Sequence, residues 1–275
     1  MRLRDSFLSL VKGGFVGISS LIPSLSSGSV MFSISIYHNF IEGISNIFKK
    51  DNKKLYLFVI PFLVGLLAGC LGGFNVINYF YSKFPNQTIF LFVGLLIGGI
   101  KLGFKNSKLK PSIKNTSLIL LIAIVLSLFY ILFISNLNIS FPPGNLFKFL
   151  IALLIGITIL IPGIPISSYT VSLNKYNDFS YLVMNFSLNN LVSIIIFITG
   201  IIIGIFLVAK ILHYLFSKYN KITMLVFISL VISSIVVLIY NINSFTLSFS
   251  NIFTSILAFL WGYIFAINLE RENDR

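Results

Sequence analysis

The chain has 275 residues, of which 57% are hydrophobic and only 10% charged, and its mean hydropathy is +0.99. A soluble domain carries about 25% charged residues, so the 27 Asp, Glu, Lys and Arg side chains here are too few to coat a water-facing globule. These figures exclude a soluble enzyme, a disordered chain and a secreted disulfide scaffold, and leave an integral membrane protein.

In chain order, charge-free stretches run over 13–41, 55–82, 84–100, 115–147, 149–174, 179–209 and 222–269. A helix needs about 20 apolar residues to cross the hydrocarbon core. The runs are continuous in Leu, Ile, Val and Phe, without the alternation of a membrane β-barrel, so the expected fold is all-α and polytopic. The first stretch opens with arm 13–22, a break PSLSSGS at 23–29 and a second arm 30–46. Spans are expected near 55–80, 86–103 and 115–135. A second arm–break–arm follows at 150–161, 162–168 (PGIPISS) and 169–176, then spans near 186–210, 222–240 and 251–269, the last two divided by NINS at 241–244. Arms of ten to twelve residues are too short to span, so each pair reads as a re-entrant hairpin, 13–46 and 150–176.

Charge placement gives an orientation. With the N-terminus in the cytoplasm, 17 of the 20 basic residues fall on the cytoplasmic side, all but Lys83, Lys148 and Lys175. Both termini are expected inside. The net charge of +13 carries no recognition motif or interleaved aromatics, so nucleic acid is not an expected partner; anionic membrane lipids are. A cleaved signal peptide is disfavoured, because Lys12 interrupts the first apolar stretch and a similar segment recurs in mid-chain. Cys70 is the single cysteine and lies inside a span, where it reads as a packing residue.

The recurrence is extensive. At an offset of 139, Gly17 falls on Gly156, Pro23 on Pro162, Ser29 on Ser168, Tyr37 on Tyr176 and Gly65 on Gly204. At 135, YFYSKFPNQTIFLF (79–92) lies over YLFSKYNKITMLVF (214–227). The chain therefore reads as two repeats, 1–138 and 139–275. Three spans per half is an odd number, so the halves are expected to be inverted, an arrangement of broken helices common in secondary transporters.

Non-helical backbone at membrane depth persists only where protein buries it or it lines a cavity. Hydroxyls, glycines and freed backbone N–H groups in two opposed breaks make an uncharged cradle for an anion. Small residues at such positions also serve close helix packing; two breaks at matching places favour a binding site. Ser24, Ser26, Ser27, Gly28, Ser29, Gly163, Ser167 and Ser168 are the expected substrate-binding residues. His38 and Glu42, four apart on one helix face, are candidates for coupling. No catalytic motif, metal cluster or cofactor signature is present, so no enzyme activity, metal or cofactor is expected.

The two hairpin breaks, each followed by a Tyr eight residues after its last Ser, resemble those of the PopT family of bacterial polyprenyl-phosphate translocases, as does the block S-K-F/Y-x-x-x-T. The family pattern is close to P-G-x-S-G-G-T and P-G-x-S-G-S; Pro23, Ser26 and Gly28 match the first, and Pro162, Gly163 and Ser167 the second. Ser24, Ser27 and Ser29 replace two glycines and a threonine, and Pro165 and Ile166 stand where serine and glycine are expected. The resemblance implies a plasma-membrane transporter that returns undecaprenyl phosphate from the outer to the inner leaflet. The alternatives are a small organic-anion transporter, or an intramembrane lipid pyrophosphate phosphatase, which lacks the carboxylates and cations such chemistry needs.

Overall fold

A computed structural model describes residues 3–22, 25–49, 55–107, 112–132, 144–163, 191–240, 242 and 248–271. The helices are α1 (Leu3–Ser19), α2 (Ser27–Ser33), α3 (Tyr37–Ser45), α4 (Ile60–Lys83), α5 (Pro85–Ser107), α6 (Ile113–Leu132), α7 (Asn145–Leu160), α8 (Leu191–Lys218), α9 (Asn220–Tyr240) and α10 (Phe249–Arg271). Among the described residues there is no strand. Six helices, α4, α5, α6, α8, α9 and α10, are long and apolar enough to cross a membrane. The chain is an all-α polytopic membrane protein.

The spans fall where continuous apolar sequence puts them. The first arm is longer than its charge-free stretch: α1 starts at Leu3 and carries Lys12 into the protein, 4% exposed. At 17 residues it measures about 25 Å, still short of the roughly 30 Å core. A π-turn at Leu55–Val59 leads into α4, and the Ser9 hydroxyl donates to the Phe58 carbonyl inside it at 2.6 Å. The second arm, expected as one segment over 30–46, is two helices. α2 closes through Ser35, whose φ is +57°, with Ser35 N–H donating to Phe32 O and Ile36 N–H to Met31 O. This is the Schellman pairing, built with serine where glycine is usual.

Glycines set the helix pairing. A Cβ at Gly17 would collide with the Leu66 carbonyl, at Gly65 with Leu10, and at Gly69 with Gly14, so α1 and α4 cross backbone to backbone. In the second half a Cβ at Gly156 would collide with Ile201, at Gly200 with Phe149, and at Gly204 with Leu153, pairing α7 with α8. The two sets superimpose at an offset of 139 in the arm and 135 in the span. Gly65 thus corresponds to Gly200 rather than Gly204, and the four-residue deletion falls ahead of the span. The corner after it repeats too. Thr88 donates to Phe80 O and Phe84 O, and Thr223 to Leu215 O and Tyr219 O. The remaining spans pair across the chain, α5 with α10 and α9 with α6, and α2 lies in the centre against α5, α7 and α9.

Candidate functional site

Helix α7 ends at Leu160, where Pro162 cannot continue it, and a helix end leaves carbonyls without partners. Side chains from the start of α3 and just ahead of α2 take up two of them. The Tyr37 hydroxyl donates to Leu160 O, and the Ser26 hydroxyl donates to Ile161 O at 3.2 Å. Gly163, with φ +86°, turns its N–H toward the Ser29 hydroxyl at 3.1 Å. Gly28 permits the approach: a Cβ there would lie 2.9 Å from Leu160 O and 3.0 Å from Pro162 N, both immovable backbone.

The described ends of the two breaks therefore meet. Ser26, Ser27 and Ser29 are all buried, at 0%, 4% and 0% exposure. Ser29 also shares a hydroxyl hydrogen bond of 2.9 Å with Ser234 on α9, and Ser234 donates to Leu230 O one turn back. Ser234 lies 14 residues into α9, about 21 Å from its start, well inside the span. No sequence signal distinguishes it from the buried Ser229 and Ser233 nearby. Helix α2 has only seven residues, so the dipole at its start is weaker than a full-length helix would supply. The polar content of the seam comes from hydroxyls and the turn at Gly163.

Of the expected substrate-binding residues, Ser26, Gly28, Ser29 and Gly163 meet at this seam and Ser27 is buried in the same turn of α2; Ser24, Ser167 and Ser168 lie outside the described residues. His38 and Glu42 stand apart from it on α3, with Nε2 and Oε2 4.0 Å apart and His38 two-thirds exposed. His38 instead lines a cavity of about 280 Å³ with Phe32, Ser35, Tyr37, Phe216 and Asn220. Tyr37 belongs to both places, walling the cavity while its hydroxyl holds the end of α7. Among the described residues no group of three or more His, Cys, Asp or Glu could hold a metal ion.

A polyprenyl-phosphate transporter of Staphylococcus aureus (strain NCTC 8325 / PS 47) is 25% identical to the chain over 281 positions, covering 98% of each. No solved structure matches it. The sequence pattern of the VCA0040-like, undecaprenyl phosphate translocase-like family matches residues 16–254, well over half of the sequence, and the chain belongs to this family.

Proposed function

We propose that this protein carries undecaprenyl phosphate from the outer to the inner leaflet of the bacterial plasma membrane, by alternating access around the two hairpin breaks. The obstacle to lipid flipping is the headgroup: an ionised phosphate costs many kcal/mol to bring into hydrocarbon without compensation. A seam of hydroxyls and turn N–H groups replaces the water around it, while the prenyl chain stays in lipid. Ser24, Ser26, Ser27, Gly28, Ser29, Gly163, Ser167 and Ser168 surround the phosphate in this reading, and His38 with Glu42 is the coupling pair.

The observation that carries it is the meeting of the breaks, with Gly28 against the backbone of 160–162 and Ser29 bonded to Gly163 N–H. Two repeats, 1–138 and 139–275, related by inversion, give the alternation its symmetry. In support, helix α9 is the counterpart of α5 at offset 135, and Gly103 near the end of α5 shares the cavity with Asn220 at the start of α9, as helices running in opposite directions do. The name of the S. aureus relative supports the substrate class.

The test is uptake of labelled undecaprenyl phosphate by proteoliposomes. Ser26→Leu and Ser27→Leu place an apolar side chain in the seam and remove a donor, and each should cut the rate at least about tenfold. Equal rates in wild type and both variants would overturn the site; no uptake by wild type would overturn the function.

A further inference from the structure

Three donors in the seam are consumed within it, and one order satisfies every contact. Gly163 N–H can only donate, so it donates to Ser29 Oγ. Ser234 donates to Leu230 O, so in the 2.9 Å contact between the two serines it is Ser29 that gives its proton and Ser234 that accepts. The chain reads Gly163 N–H to Ser29 Oγ–H to Ser234 Oγ–H to Leu230 C=O, and it joins three elements: the turn after α7, α2, and α9. Its two hydroxyls are buried, with Ser29 0% and Ser234 2% exposed.

We propose that Ser234 is a third-element ligand of the phosphate, and that this chain is the closed state of the site, opened when an anionic headgroup enters between Ser29 and Ser234. The inference rests on the transport reading above. Its basis is a count of donors and acceptors. A phosphate monoester dianion offers only acceptors. Entering the seam, it breaks the bonds from Gly163 to Ser29 and from Ser29 to Ser234. It then accepts from Gly163 N–H, Ser29 Oγ–H and Ser234 Oγ–H together. Leu230 O, given up by Ser234 Oγ, keeps the helical bond from the Ser234 N–H. No buried polar group is orphaned in either state, and the bonds formed are charge-assisted, stronger than those lost. An alanine at 234 would leave the phosphate one donor short.

The experiment measures apparent KM and maximal rate of undecaprenyl phosphate uptake in proteoliposomes, with substrate in mol% of lipid. It compares wild type, Ser234→Ala, Ser234→Val and Ser234→Thr. Alanine is well tolerated in a helix, and valine matches threonine in shape without its hydroxyl. Ser234→Ala and Ser234→Val should raise KM about tenfold, and Ser234→Thr should stay within about twofold of wild type, as loss and retention of one charge-assisted bond require. A packing role would lower the maximal rate or the folded yield and leave KM alone. Unchanged KM in the Ala and Val variants overturns the inference while wild-type uptake keeps the function standing; absent wild-type uptake overturns both.

Discussion

At the scale of single residues, two positions show how the first hairpin is shaped. Gly28 is there because backbone must touch backbone, with the end of α7 inside the radius of a methyl group. Ser35 is the opposite case, a residue with a Cβ held at φ +57°, where an L side chain is disfavoured by about 1–2 kcal/mol. It closes α2 and faces the cavity beside His38. Ser35→Gly removes that cost, less the entropy the more flexible unfolded chain gains, and should raise stability by about 0.5–1 kcal/mol. Thermal unfolding in detergent reads this directly; a lower midpoint would show that the Ser35 side chain contributes more than its backbone costs.

At the scale of elements, the crossings α1 on α4 and α7 on α8 depend on glycines whose missing Cβ atoms let carbonyls come into contact. Gly72, on the same α4 helix, has nothing within 4 Å of where its Cβ would be. Gly17→Ala and Gly156→Ala should each cost about 1–3 kcal/mol by overpacking, while Gly72→Ala should gain about 0.5–1 kcal/mol of helix propensity. Thermal midpoints of the three purified variants check the contrast, and a loss at Gly72 equal to that at Gly17 would contradict it. These elements also mark what was legible in sequence. The six spans were, because hydropathy alone sets them. An interruption between α1 and α2 was, from the proline, glycine and serine together in an apolar run, though 27–29 of the expected break form the first turn of α2. The turn at Ser35 was not, since Ile34-Ser35-Ile36 contains neither glycine nor proline and its geometry comes from α2 wedged between α5 and α9. Ser234 was equally invisible: one hydroxyl among the serines of a span is ordinary until Ser29, 205 positions earlier, is found beside it. Charge is a poor guide at α1: the stretch free of it begins after Lys12 and gives an arm over 13–22, whereas the helix runs from Leu3 with Lys12 buried in it.

At the scale of the whole molecule, the contacts that repeat at offsets 139 and 135 make the orientation of the halves testable. Ser82 and Ser217 are counterparts, both exposed, each donating to the carbonyl three residues back. In a background with Cys70→Ser, an impermeant maleimide added to intact cells should label Ser82→Cys, while Ser217→Cys should react only after permeabilisation. Labelling of both from the same side would rule out inversion.

The pairing of helices has a consequence for how such a molecule moves. α1 leans on α4 and α7 on α8, but α5 leans on α10 and α9 on α6, while the neighbours α5 and α6, and likewise α9 and α10, make at most marginal contact. The stretches 1–138 and 139–275 are thus clasped through each other, and neither encloses its own later helices. On the alternating-access reading proposed above, whatever pivots is a mixed bundle drawn from both stretches, and its hinge lies elsewhere than at their junction.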